Sequence, residues 1–216
     1  MIVKRCKEIT EREIAEMAKN ARGAVNRIYL HWTAGYYGQP YDDYHFCVDR
    51  EGQVYVHCKA LTEEKEHTWL RNCGAVAIAL CCGAQAACWA PQTGNCRTAW
   101  GALAAADYAA PDCARICLGE APPTVPQIEV MAKVVALLCD GLELPICRDT
   151  VQTHCEVAFK DGYGPGSGDP ETRWDLWFLP DVGQHGKLMP GGELLRGKAL
   201  YYRNLMQKGG EKAWLP

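Results

Sequence analysis

The chain has 216 residues, enough for one good-sized domain with an elaboration rather than two full domains. Its apolar (48%) and charged (23%) fractions are those of an ordinary folded domain, which argues against disorder. With 23 Lys and Arg against 26 Asp and Glu, a net charge of −3 gives no basic footprint for nucleic acid or for an anionic polymer.

Met1 to Glu8 lacks the apolar core of a secretory signal, so the chain is expected to be made in the cytoplasm. A helix is predicted over residues 10–21. Thr10 and Glu13 form a capping box, and Ile14, Met17, Ala18 and Ala21 make an apolar stripe that stops at Gly23. Ile28, Tyr29, Leu30 and His31 then read as a short buried strand. Alternation puts Tyr29 and His31 on one face and Ile28 and Leu30 on the other. The segment from Tyr44 to His57, turning at Arg50-Glu51-Gly52, reads as a β-hairpin. Residues 75–82 form a continuous apolar run ended by Gly83, which fits a central strand buried on both faces.

From Ala84 to about Pro123 small residues and turn formers take over, and residues 97–108 are compatible with a helix. This stretch reads as a Cys-rich insertion. A second helix is predicted over 125–140, with Thr124 and Gln127 as its capping box and Ile128, Met131, Val135 and Leu138 on one face. A strand at 150–153, a Gly-rich loop at 162–168 and the segment Trp174 to Leu179 follow. After residue 180 the chain reads as a polar, Gly-rich tail over 181–216 with one helix near 193–207. The expected architecture is α/β, a mixed central sheet flanked by helices, in one domain over 1–180 carrying the insertion at about 84–123. No apolar run approaches the ~18 residues of a membrane span.

The 13 cysteines are odd in number and include no C-x-x-C pair, so free thiols are expected and a zinc ribbon is not. Cys88, Cys96, Cys113 and Cys117 cluster in the insertion and could form a local staple. Two histidines at strand ends, His31 and His154, with a carboxylate from the 166–175 segment, would leave one coordination position open. That is the pattern of a catalytic zinc site. Asp169 and Asp175 are both available, and Cys155 could offer a thiolate.

Five segments in order resemble the zinc-dependent N-acetylmuramoyl-L-alanine amidases of type 2, the peptidoglycan recognition protein-like family. They are His31-Trp32-Thr33-Ala34, Tyr44-His45-Phe46 with its hairpin turn, His67 to Leu80, Thr153-His154-Cys155-Glu156, and Asp169-Pro170 with Trp174-Asp175. The resemblance implies hydrolysis of the amide between N-acetylmuramic acid and L-alanine, with zinc on His31, His154 and Asp169. It makes Tyr44 and Ser167 the catalytic residues, with Trp32, His67 and Asn72 at the substrate. Trp69 and Trp174 are further candidates for sugar platforms. The implied partner is peptidoglycan or a muropeptide, taken by a monomer without nucleic acid or membrane. Two departures stand out. Ser167 replaces the lysine or threonine often found two residues before the third ligand, and Ala79 and Cys81 stand where cytoplasmic recycling members carry a glutamate. The second departure points to a phage or prophage lysin. A non-catalytic peptidoglycan-binding module is the alternative.

Overall fold

The computed structural model describes residues 7–89, 115–165, 167, 169, 173–181, 183 and 187–209. The possible helix at 97–108 and the insertion cysteines Cys96 and Cys113 lie outside the described residues.

The elements in chain order are β1 (Lys7–Glu8), α1 (Glu11–Asn20), β2 (Arg27–Trp32), β3 (Phe46–Val48), β4 (Val54–Val56), β5 (Ala75–Leu80), β6 (Ala87–Trp89) and β7 (Arg115–Cys117). There follow α2 (Val125–Leu142), β8 (Val151–Thr153), α3 (His154–Asp161), β9 (Phe178–Pro180), β10 (Leu188–Pro190) and α4 (Gly191–Gly209). Six strands form one mixed sheet in the order β1-β4-β3-β5-β2-β8. β5 lies between β3 and β2, parallel to both, and every residue of it is buried. The continuous apolar run therefore sits where it was expected, at the sheet centre.

Local chemistry sets the boundaries. Thr10 and Glu13 close the α1 capping box, and Thr124 and Gln127 close that of α2, with a proline in its first turn. The hairpin turns on Gly52, whose φ of +92° disfavours an L side chain; an added Cβ would also meet Val130 Cγ2 at 2.8 Å. α2 is buried far beyond its predicted face, because α1, α4 and the sheet all pack against it.

Alternation along β2 divides the molecule. Ile28, Leu30 and Trp32 enter the large core shared with α1, α2 and α4. Tyr29 turns the other way, onto Val157 of α3 and Ala75. That leaves His31 on the α3 side of the sheet, at the C-terminal end of its strand, where loops converge.

Residues 187–209 are more than a tail. α4 packs along α2 and against β8, so the boundary at 180 does not separate it from the core. Arg196 of α4 is only 5% exposed and grips Glu156 of α3 with both terminal nitrogens, at 2.8 and 2.7 Å. Gly192 makes room for this grip, since a Cβ there would clash with the Glu156 carboxylate. Every cysteine among the described residues is a free thiol.

Candidate metal centre

His31 is the penultimate residue of β2, and His154 opens α3 directly after β8, which pairs in parallel with β2. Neighbouring parallel strands that end at the same edge bring the two imidazoles to 4.8 Å between ring centroids. His154 is fixed by a third capping box, in which Thr153 Oγ1 accepts the Glu156 N–H and the Glu156 carboxylate accepts the Thr153 N–H at 2.9 Å. The Thr153-x-x-Glu156 spacing carries that signal in the sequence, yet the segment reads there as strand or turn.

One carboxylate oxygen completes the cluster. Asp175 Oδ2 lies 3.3 Å from His31 Nδ1 and 3.5 Å from His154 Nδ1. Both histidines are buried, and among the described residues His154 Nδ1 makes no hydrogen bond. Burial pushes the His31 pKa down to about 4, so the ring is neutral at neutral pH, the form a metal needs. Burial works to raise the Asp175 pKa, but His154 and His31 hold it below the usual carboxylate range, so it is ionised. Two imidazole nitrogens and one carboxylate oxygen within 4.8 Å of one another, one of them an orphaned buried atom, fit a zinc-type cation.

The carboxylate at the histidines is thus Asp175 and not Asp169. Asp169 is exposed and stands in the wall of an open cleft of about 910 Å³ that also includes His154. The residues that follow Asp175 decide this, because Leu176, Trp177 and Phe178 are buried and draw it inward. Ser167 is likewise turned to local structure, its Oγ accepting the Asp169 N–H at 3.2 Å. Cys155 points away into a pocket with Phe159, Trp177 and Phe178, and burial there raises its thiol pKa well above the ordinary value.

Tyr44, His67 and Asn72 come to the site. The Tyr44 ring is 5.2 Å from that of His31, and its hydroxyl donates to Trp32 O at 3.4 Å. Burial raises its pKa, which keeps the hydroxyl protonated as a donor. His67 lines the cleft 5.3 Å from the His31 ring. Asn72 Oδ1 accepts the backbone N–H groups of His67 and Thr68 at 3.3 and 2.9 Å, so it clamps the loop that carries them. Trp32 does not reach the cleft. Its position in β2 sends it into the helix-side core against Trp174, at 4.6 Å. Of the three tryptophans considered as sugar platforms, Trp69 is at the cleft surface, 72% exposed beside Leu70.

His45 is structural. Its Nδ1 accepts the Ala77 N–H at 3.1 Å and its Nε2 donates to Glu63 O at 2.8 Å, while burial pushes its pKa down to about 4. An unfolded histidine titrates near ~6.5. Between that pH and 4 the unfolded chain takes up a proton the folded one refuses, so stability falls as pH falls, by about 3 kcal/mol for this group. Urea unfolding of the metal-free protein across this window should show that slope, and His45→Gln should flatten it.

No helix among the described residues is long and apolar enough to cross a membrane. A family model described as N-acetylmuramoyl-L-alanine amidase matches residues 21–170. No curated protein and no solved structure matches the chain at a significant level.

Proposed function

The chain belongs to the N-acetylmuramoyl-L-alanine amidase family, a peptidoglycan amidase by that membership, and we propose that it acts as a zinc enzyme through His31, His154 and Asp175. The observation that carries this reading is the Asp175 oxygen set between two buried Nδ1 atoms, one of them on His154, which lines the cleft. Zinc held there would supply a Lewis acid for the scissile carbonyl and make a water acidic enough to ionise near neutral pH. The chain's own groups do the rest. Tyr44 sits beside His31 with a hydroxyl that stays protonated, so by turning from Trp32 O it can donate to the oxygen that gains charge as water adds to the lactyl carbonyl. The C–N bond then breaks and the leaving L-alanine amine takes a proton. Trp69 and Leu70, 72% and 86% exposed on the rim, offer an apolar ledge to the glycan or stem. Ser167 keeps no direct part in this scheme, and Asp169 belongs to the cleft wall.

The role favoured is that of a wall-degrading lysin. The strand register puts Ala77 and Ala79 beside Tyr29 and His31, so β5 brings no carboxylate to that face, and the recycling glutamate has no counterpart. The test is zinc content of the purified protein, with stem release from intact sacculi and from soluble muropeptide scored before and after chelation. One zinc per chain and chelator-sensitive cleavage of sacculi are expected. Cleavage that survives complete zinc removal would overturn the metal reading, and cleavage confined to soluble muropeptide would overturn the lysin role.

A further inference from the structure

Both ring nitrogens of His31 are engaged. Nδ1 is the atom beside Asp175, while Nε2 lies 3.3 Å from Thr68 Oγ1. The same hydroxyl is 2.9 Å from His67 Nδ1. Thr68 is 2% and His67 8% exposed, so these groups must satisfy one another. His67 Nε2 is buried and has no hydrogen-bond partner among the described residues.

A hydroxyl has one proton to give, and a neutral imidazole carries one proton on one of two nitrogens. The three groups are therefore coupled. With no metal, ionised Asp175 takes the Nδ1 proton of His31 as a hydrogen bond, so His31 Nε2 is an acceptor. The Thr68 hydroxyl donates to it, and His67 must donate from Nδ1 into Thr68. With zinc on His31 Nδ1, the proton sits on Nε2 and donates to Thr68. The hydroxyl then turns to His67 Nδ1, which becomes the acceptor, and the His67 proton moves to Nε2. Each group keeps one proton throughout.

We propose that Thr68 is a positioning residue whose hydroxyl couples the His31 and His67 tautomers, so that loading the metal moves the His67 proton from Nδ1 to Nε2. This rests on His31 being a ligand through Nδ1. Outer partners of metal-bound histidines act in this way, fixing ring orientation and tautomer. Thr68 is itself held by the Asn72 clamp on its backbone N–H.

The experiment is the imidazole 15N spectrum of the full chain with and without zinc, alongside zinc affinity by competition with a chromophoric chelator. Zinc should move the His67 proton from Nδ1 to Nε2 in the wild type and in Thr68→Ser, and not in Thr68→Val. Thr68→Val should also bind zinc 10–100-fold more weakly, the loss typical of removing such a partner. A His67 tautomer indifferent to zinc, with His31→Ala unable to bind the metal, would overturn the coupling and leave the metal centre standing. If His31→Ala bound zinc as tightly as wild type, the centre itself would fall and the coupling with it. Equal weakening in Thr68→Ser and Thr68→Val would assign the effect to packing and also overturn the proposal. The wild-type spectra decide the matter even if Thr68→Val fails to fold.

Discussion

His31→Ala is expected to give a folded protein that holds no zinc and releases no stem peptide. The loss should exceed the 10–100-fold typical of removing an outer partner, because a ligand itself is gone. The fold should hold because the β2 residues that build the large core, Ile28, Leu30 and Trp32, lie on the opposite face from His31. Near-normal turnover in this variant would end the mechanism. The same assay separates the two aspartates. Asp175→Asn keeps the shape and removes the charge beside both Nδ1 atoms, so zinc should be lost, whereas Asp169→Asn should retain it. The reverse outcome would return the third ligand to Asp169, as the resemblance implied.

Arg196→Met is expected to destabilise the protein by about 3–5 kcal/mol, the cost of leaving a buried charge unpaired. The orphan would be Glu156, which is 8% exposed and would keep only the Thr153 N–H. Arg196 also donates to Val151 O at 2.9 Å, satisfying the outer edge of β8. One side chain thus ties α4 both to the strand that leads into His154 and to the helix that begins there. Denaturant unfolding of the metal-free protein gives the number. Glu156→Gln on the Arg196→Met background should recover much of the loss, since it removes the orphaned charge and keeps an acceptor for the Thr153 N–H. A double variant as unstable as the single one would show that Arg196 acts through packing alone. The arginine lies beyond the matched residues 21–170, so a shared family domain here depends on a helix outside it.

Much of the fold was legible because it follows from local rules. The capping boxes at Thr10 and Thr124, the hairpin turn at Gly52 and the apolar run at 75–82 each specify an element within a few residues of themselves. β2 was read to within a residue or two, and alternation along it assigned His31 and Ile28 to opposite faces correctly. The same alternation places Trp32 in the helix-side core, and the resemblance outweighed it in naming Trp32 for the substrate. α3 went unread although its capping box was present, since an eight-residue helix leaves little periodicity to see.

The sequence by itself determined the larger elements, the α/β class and the family, because caps, turns and apolar runs are short-range facts. Only the tertiary structure decided which carboxylate joins His31 and His154, what Thr68 touches and where Arg196 goes. Asp169 and Asp175 are equivalent as residue types and nearly so in position. Burial of Leu176, Trp177 and Phe178 carries one of them inward while the other remains at the surface. Arg196 and Glu156 are separated by 40 residues, and their pairing depends on how α4 folds back across β8. Such contacts are fixed by long-range packing, which no local pattern encodes.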